Sequence, residues 1–351
     1  MSKRPYLNVI ASAVLFGLGA PLSKLLIRDL SPLALAGLLY LGASLGLTLY
    51  AIGRKVLLKN KEDPAPPLRK KDWPWLAGSI LTGGIVGPVC LLFGLAQLSG
   101  YAASLLLNLE GIATALIAVF IFKESAGRRI WLALASMTCA GVFLSWDPGR
   151  SRFAVTGTLL VLAAMAGWGL DNNLMRNIAD RNPVQITRIK GLVAGIFSLG
   201  MALVLGSKVS SGIAVASGLV LGAFSYGISL VLYLKALSGI GAFRAGAFFS
   251  FAPFVGALVS LLVLPDPARW VLVPGAILMV LGVFLIVGER HEHHHRHEAL
   301  VHTHVHAHRD GHHLHSHGGT LAEPHAHEHV HEELDHVHCH WPDTHHRHEH
   351  E

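Results

Sequence analysis

The chain has 351 residues, a mean hydropathy of +0.48 and only 14% charged residues, which excludes an ordinary soluble domain, where about a quarter of residues are charged. Its net charge of +6 combines two unlike parts. Residues 1–290 contain 25 Lys and Arg, 11 Asp and Glu and no histidine. Residues 291–351 contain 3 Lys and Arg, 11 Asp and Glu and all 24 histidines. The basic charge therefore belongs to the loops of an apolar body, and it gives no reason to expect nucleic acid as a partner.

Ten apolar stretches of the body are long enough to cross a bilayer, which takes about 20 residues each. They cover residues 6–27, 32–52, 73–96, 101–122, 129–146, 156–178, 184–206, 213–235, 241–264 and 269–288. Most connections are short and contain Pro, Gly or Ser, so neighbouring spans should be antiparallel. The sequence therefore predicts an all-α membrane protein with ten transmembrane helices.

The charge of the loops predicts the orientation of these spans. The connection "GRKVLLKNKEDPAPPLRKKD" (53–72) carries seven Lys and Arg, and basic loops stay in the cytoplasm. With this loop inside, the inner loops and ends hold 16 basic residues and the outer loops hold five. Both termini are therefore expected in the cytoplasm.

Two of the spans resemble each other. The first is "QLSGYAASLLLNLEGIATALIAVFIFKE" (97–124) and the second is "ALSGIGAFRAGAFFSFAPFVGALVSLLVLPD" (236–266). Both contain Leu-Ser-Gly near the start, continue through small residues and end on an acid after an aliphatic run. Two halves of five spans each must have opposite orientations in the membrane. Such inverted repeats are typical of secondary transporters, whose substrate path lies between the halves.

These two segments and the ten-span layout resemble the drug/metabolite transporter superfamily, in particular its EamA-type members, over about residues 5–288. The resemblance implies a five-helix repeat in 1–148, a second in 149–290, and a bacterial inner-membrane carrier, often an exporter of amino acids or other small metabolites. The first half departs from the family pattern, because it has Glu110-Gly111 where the second half has Ala252-Pro253 and the family usually has Pro.

Glu110 is the first candidate for a residue of the substrate pathway or of coupling. It lies nine residues into the fourth span, about 14 Å deep at 1.5 Å per residue, where a carboxylate must be paired, protonated or in contact with water. It is either a proton-coupling group or cation ligand, or a protonated side chain that only joins two helices. Asn108 lies about 200° away around the helix, so both faces of this span should contact protein or a cavity.

Polar residues in the sixth and seventh spans extend the candidate pathway. Trp168, Asp171 and Asn172 form one stripe at i, i+3 and i+4. Their depth matches that of Arg188, so we predict an Asp171–Arg188 ion pair, with Lys190 as the alternative partner and a purely structural role left open.

Two further basic residues lie within the spans. Arg244, one turn into the ninth span, either meets an anionic substrate or extends to the headgroups. Lys24 is expected to extend to the headgroups at the outer end of the first span.

The tail, residues 291–351, contains 24 histidines and almost no apolar residues, so it is expected to be disordered. Its alternating His-x-His units suit divalent Zn, Ni, Co or Cu, which neutral imidazoles bind. A pH-sensitive polymer and a purification tag are the alternatives. The proposed metal ligands are His302, His304, His306, His308, His312, His313, His315, His317, His325, His327, His329, His331, His336, His338 and His340.

The sequence favours a secondary transporter, more an exporter than an importer, of a small solute, with a tail that binds transition metal and with metal itself as one of the cargoes considered. The alternatives are an amino-acid or metabolite exporter whose tail only senses or buffers metal, and a non-transporting metal store or receptor. No motif indicates an enzyme, and no cofactor is required. The partners are the lipid bilayer and a small-molecule or metal-ion substrate, and a homodimer is left open.

Overall fold

The computed structural model describes residues 4–57, 66–121, 128–145, 153–178, 181–207, 211–265, 270–287, 291–297, 300–306, 325–331 and 334–340. The α-helices are α1 (Arg4–Gly17), α2 (Gly19–Leu26), α3 (Pro32–Leu57), α4 (Trp73–Ser79), α5 (Gly87–Gln97), α6 (Gly100–Leu106), α7 (Leu109–Phe120), α8 (Arg128–Ser145), α9 (Phe153–Met175), α10 (Pro183–Val204), α11 (Gly212–Gly222), α12 (Ser229–Phe249), α13 (Ala252–Val263) and α14 (Leu272–Val287). Short 3-10 helices cover Lys70–Asp72 and Arg176–Ile178.

Several helices begin where the sequence provides a cap. The side chain of Asn182 accepts a hydrogen bond from the Gln185 amide (3.0 Å) before α10, and that of Ser211 accepts one from the Ala214 amide (3.1 Å) before α11. These caps satisfy backbone N–H groups that the first turn of a helix leaves without a partner. Pro183 occupies the first turn of α10, where its missing N–H costs nothing.

The helices have the length and surface of a membrane protein. Within the described residues, six apolar helical stretches of 18 to 28 residues are long enough to cross a bilayer, and Ala252–Val263 and Leu272–Leu285 are shorter apolar helices. Large apolar side chains lie on the outer surface, including Leu49, Val204 and Leu262, each at least 70% exposed. A water-soluble protein would bury such a surface. The chain is therefore a multi-pass membrane protein.

Small residues bring the helices of the interior together. α3 packs against α10 and α11, α8 against α14, α6 against α13, α1 against α12, and α7 against α9. At the α3–α11 contact, a Cβ added to Gly42 would lie 2.1 Å from the carbonyl oxygen of Leu219, and one added to Gly222 would lie 2.0 Å from that of Leu39. Only glycine permits such a close approach of two helix backbones, as is usual between helices in membranes.

Both halves of the chain carry the same two irregularities. A π-helical segment, Ile80–Val86, joins α4 to α5, and a second, Ala223–Ile228, joins α11 to α12. The helix is also interrupted at Leu107–Asn108, between α6 and α7, and at Ser250–Phe251, between α12 and α13. Both kinds of feature change which backbone groups lack a helical partner, and they are frequent at functional sites.

The expected connection between the eighth and ninth spans lies inside α12, which is helical through residues 237–242. The chain nevertheless reverses direction there. The rings of Tyr233 and Phe249 are 4.9 Å apart, whereas a straight helix would separate these residues by about 24 Å. The division of these two apolar stretches into separate spans stays a prediction.

The described part of the tail consists of four strands: β1 (His291–His297), β2 (Leu300–His306), β3 (His325–His331) and β4 (Leu334–His340). β1 pairs with β4 and β2 with β3, both antiparallel. Disorder of the tail as a whole stays a prediction of the sequence.

Candidate functional site

Glu110 lies in the first turn of α7, directly after the interruption at Leu107–Asn108. Its Oε1 accepts a hydrogen bond of 2.9 Å from Nδ2 of Asn172 on α9. The same Nδ2 donates to Oγ1 of Thr114 (3.1 Å), whose hydroxyl donates to the backbone oxygen of Glu110 (2.9 Å). Among the described residues, no cationic side chain contacts this carboxylate.

The Glu110–Asn172 contact is accessible although it lies in the middle of the helices. Asn172 is exposed, whereas Asp171 and Asn173 on either side of it are buried, and Glu110 is partly exposed. The carboxylate lies within electrostatic range of Asp171 and Lys190. The hydrogen bond to Asn172 places this carboxylate at the contact between α7 and α9.

Asp171 forms a different arrangement one residue away on α9. Its Oδ2 pairs with the ammonium of Lys190, and its Oδ1 accepts a 2.5 Å hydrogen bond from the Ser79 hydroxyl. The predicted Asp171–Arg188 pair is therefore wrong, and the alternative partner is the one found. Two residues along a helix are separated by about 200°, so only one of the two basic side chains can face α9. Arg188 faces α3, where its Nε donates to Oγ1 of Thr48 (3.1 Å).

A carbonyl of the π-helical segment positions Trp168. The backbone oxygen of Gly83 accepts hydrogen bonds from the Trp168 Nε1 (3.0 Å) and from the Tyr40 hydroxyl (2.6 Å). The wider turn of a π-helix changes the backbone pairing and leaves this carbonyl available to side chains. A Cβ at Gly83 would lie 2.0 Å from Oδ2 of Asp171, so the position needs glycine for the close approach.

An aromatic cluster joins α1, α3, α12 and the π-helical segment before α12. The Tyr226 ring is 5.9 Å from that of Tyr40 and 5.8 Å from that of Phe16. Phe249 joins them, at 5.2 Å from Phe16 and 4.9 Å from Tyr233. We call Phe16, Tyr40, Tyr226, Tyr233 and Phe249 the aromatic cluster. It draws on helices of both halves of the chain.

The sequence analysis also singled out Asn108, Arg244 and Lys24. Asn108 is buried and its amide donates to the Leu105 carbonyl of its own helix (3.2 Å). Arg244 lies in the part of α12 whose side chains the structure does not describe. Lys24, expected to reach the headgroups, instead donates to the backbone carbonyls of Leu95 (2.9 Å) and Leu98 at the end of α5.

A buried ion pair at the predicted cytoplasmic side was missed by the sequence analysis. Nε of Arg181 lies 2.6 Å from Oδ2 of Asp72, and both side chains are at most 5% exposed. The Arg69 amide donates to the same oxygen (2.8 Å). Asp72 belongs to the basic loop 53–72 and Arg181 to the connection between α9 and α10. Nothing in the spacing of two loops shows that they meet.

The metal ligands proposed in the tail fall into two groups. His308, His312, His313, His315 and His317 lie outside the described residues. In β2 and β3 the register opposes His302 to His329, His304 to His327 and His306 to His325, and in β1 and β4 it opposes His293 to His338 and His295 to His336. Alternate residues share a face of a strand, so each pair of strands has histidines at facing positions of one face. In the described parts whose side chains are defined, no group of three or more His, Cys, Asp or Glu could hold a metal.

Known proteins resemble the chain in sequence and fold. An uncharacterized transporter of Methanothermobacter thermautotrophicus is 27% identical over 302 residues, which cover 80% of this chain and 85% of that protein. The uncharacterized transporter YetK of Bacillus subtilis is 23% identical over 203 residues, 56% of this chain and 59% of YetK. One crystal structure has a TM-score of 0.53 at 18% identity, over 81% of this chain and 96% of its own, so that likeness concerns the fold alone.

The profile of one family matches the body of the chain twice. The EamA-like transporter family matches residues 3–146 and again residues 155–288. These two matches together cover well over half of the sequence, and the relatives are themselves named transporters. The chain therefore belongs to the EamA-like transporter family, and it is a membrane transporter and not an enzyme.

Proposed function

We propose that the chain is a secondary transporter that exports a small organic solute through the cavity at Glu110. The observation that carries the proposal is an accessible carboxylate in the middle of the helix bundle, held by the neutral amide of Asn172. Organic ligand sites typically combine an apolar, aromatic lining with a few polar groups that fix orientation. We expect Glu110, Asn172 and the aromatic cluster to form such a combination.

The transport unit consists of ten spans in two inverted halves, residues 1–148 and 149–290. Pairwise packing supports this arrangement, because exchanging the halves exchanges the α5–α9 contact for the α1–α12 contact and the α7–α9 contact for the α1–α13 contact, and leaves the α3–α10 and α8–α14 contacts in place. The matched π-helical segments and helix interruptions support it further. We expect the single chain to hold a complete site, without a residue from a second copy.

The membrane proposed is the bacterial inner membrane, with both termini in the cytoplasm. The test is labelling of single cysteines, introduced into an otherwise cysteine-free chain at residues 29, 60, 150 and 208, by a reagent that does not cross the membrane. Labelling in intact cells is expected at 29, 150 and 208 and not at 60. Labelling at residue 60 in intact cells would contradict the orientation.

The tail is proposed to bind divalent Zn, Ni, Co or Cu in the cytoplasm. The facing positions of histidines in the two strand pairs support this function, since directly opposite residues have Cβ atoms about 4.5–5.5 Å apart. Titration calorimetry of the full chain with Zn²⁺ and Ni²⁺ is expected to show binding that is lost when the chain ends at Glu289. Unchanged binding after that deletion would contradict a metal-binding tail.

Flux measurements in proteoliposomes test the transport proposal and its alternatives together. The full chain, the deletion ending at Glu289 and Glu110→Gln are compared for flux of Ni, Co, Zn and a panel of amino acids and amines. Asp29→Asn, on the exposed connection after α2, is the matched control for loss of a carboxylate. We expect organic solute flux that Glu110→Gln abolishes and that persists without the tail. Metal flux that depends on Glu110 would make metal the cargo, and no flux of any kind would contradict a transporter mechanism at this site.

A further inference from the structure

Three of the spans are divided near their middle into an inner and an outer half. Leu18 separates α1 from α2, Leu107–Asn108 separates α6 from α7, and Ser250–Phe251 separates α12 from α13. Pro21 adds to the first division, because it has no N–H to donate to the Gly17 carbonyl. We call α2, α6 and α13 the outer half-helices, since they lie at the outer ends of their spans in the proposed orientation. Helices bend most readily at such interruptions.

The outer half-helices contact one another, whereas the inner halves of the same spans pack on different helices. α6 packs on α13, and α2 packs on both. α7, which continues α6, packs on α9 together with α5, while α12, which precedes α13, packs on α1. One group of helices, α1, α12 and α13, therefore meets a second group, α5, α7 and α9, through the outer half-helices.

Each outer half-helix buries one serine hydroxyl at this contact. A Cβ added to Gly256 would lie 3.1 Å from Oγ of Ser104, and one added to Gly100 would lie 2.8 Å from Oγ of Ser260. Ser104, Ser260 and Ser23 on α2 are at most 1% exposed, and their hydroxyls have no hydrogen-bond partner within the described part of the chain. A buried hydroxyl without a partner costs free energy that contact with water would recover. These three groups therefore favour separation of the outer half-helices.

Lys24 opposes this separation. It follows Ser23 on α2, and its ammonium donates to the carbonyls of Leu95 (2.9 Å) and Leu98 at the end of α5. Carbonyls at the end of a helix lack partners within that helix, and a cation is favourable there. Because α2 packs on α13 and α5 packs on α9, these hydrogen bonds connect the two groups of helices.

We propose that Lys24 is the latch that holds the outer end of the transport path closed. When its ammonium leaves the carbonyls of α5, α2 and α13 separate from α6, and water reaches the three serine hydroxyls. Lys24 is a positioning residue, which acts without contacting the solute. The inference rests on the proposed transport function and orientation, and it gives a role to a lysine that does not extend to the headgroups.

The reactivity of a buried thiol measures the opening of the outer end. Ser260→Cys is introduced into an otherwise cysteine-free chain and labelled in intact cells by a methanethiosulfonate reagent that does not cross the membrane. Adding Lys24→Met is expected to raise the labelling rate about tenfold, because loss of a hydrogen bond to a charged group shifts the closed–open equilibrium by that order.

Two further variants separate the latch from a general effect of charge or stability. Lys24→Arg keeps a cation that can donate to the same carbonyls, so it should hold the labelling rate within about twofold of the original. Arg28→Met, which removes a cation from the exposed connection after α2, should leave the rate unchanged. Thermal unfolding verifies that each variant is folded.

A disulfide across the contact tests the movement without a change at Lys24. A Cβ added to Gly100 would lie 3.1 Å from Cβ of Ser260, within about 1 Å of the usual separation in a disulfide. Gly100→Cys combined with Ser260→Cys should therefore cross-link on oxidation. Flux of the panel of amino acids and amines in proteoliposomes is expected to fall at least about tenfold and to return with dithiothreitol, because the covalent link prevents separation. Ser260→Cys alone should show the same flux before and after oxidation.

Two results would overturn the inference. The first is a labelling rate in Lys24→Met within about twofold of the original, or a raised rate that Lys24→Arg shows as well. The second is a cross-linked chain that transports as fast as its reduced form, which would leave the proposed transport function standing and remove only the latch. Absence of flux in the original chain would instead contradict transport, and the labelling rates would then decide on the latch by themselves.

Discussion

Two carboxylates lie side by side in the centre of this molecule, and their surroundings differ. Asp171 is buried and satisfied by Lys190 and by the hydroxyl of Ser79. Glu110 reaches the neighbouring residue of α9, Asn172, and stays accessible. The first group is an internal part of the packing of α9, α10 and the segment around Ser79. The carboxylate of Glu110 remains available to bind a ligand. The role of an acid in a membrane therefore follows from its partner and its access to the cavity, and not from its depth alone.

The largest expected effect on stability follows from breaking the Asp171–Lys190 ion pair. Asp171→Asn leaves the Lys190 ammonium without its counterion, and breaking a buried pair in this way costs about 3–5 kcal/mol. Thermal unfolding in detergent should show a large loss of stability. The double variant Asp171→Asn with Lys190→Met should recover most of it, because no buried charge is left. If the single variant were as stable as the original chain, the pair would not be structural.

The next effect concerns the glycine that lets Asp171 approach the π-helical segment. Gly83→Ala places a methyl group 2.0 Å from Oδ2 of Asp171, so the helices must separate. Overpacking of this kind costs about 1–3 kcal/mol. Gly53→Ala, at a glycine with open space around it, is the control. An unchanged unfolding temperature for Gly83→Ala would contradict the close approach.

A smaller effect is expected at Trp168. Trp168→Phe removes the hydrogen bond from Nε1 to the Gly83 carbonyl, which still accepts one from Tyr40. The loss should be about 1 kcal/mol, the net value of a typical buried hydrogen bond. In Trp168→Phe combined with Tyr40→Phe the carbonyl loses both donors, so the combined loss should exceed the sum of the two single losses. Strictly additive losses would contradict a shared acceptor.

The sequence predicted the apolar segments and the importance of several polar residues, because hydropathy and charge are local properties. It could not decide which of Arg188 and Lys190 meets Asp171, since that depends on the rotation of α10 about its axis. It also assigned Asp171 and Asn172 to one stripe. In the structure these neighbours serve different partners, because 100° of rotation is enough to direct one side chain to α10 and the other to α7.

The π-helical segments were beyond sequence reasoning for a related reason. "ILTGGIV" and "AFSYGI" differ in composition, and what stabilises a wider turn is the set of side chains that neighbouring helices supply to it. Gly83 acquires its role only because Tyr40 and Trp168 reach its carbonyl. The aromatic cluster was missed similarly, since its members come from α1, α3, α12 and the second π-helical segment and share no spacing in the chain.

Substitution of Glu110 is expected to have the smallest effect on stability and the largest effect on transport. The most direct measurement compares Glu110→Gln with the Asp171→Asn, Lys190→Met double variant, recording thermal unfolding and organic-solute flux on the same proteoliposome preparations. We predict that Glu110→Gln changes stability by about 0.5 kcal/mol or less, since Asn172 can still donate to an amide oxygen, while flux is lost. The double variant should keep measurable flux. A Glu110→Gln protein that unfolds several degrees lower and still transports would contradict the account.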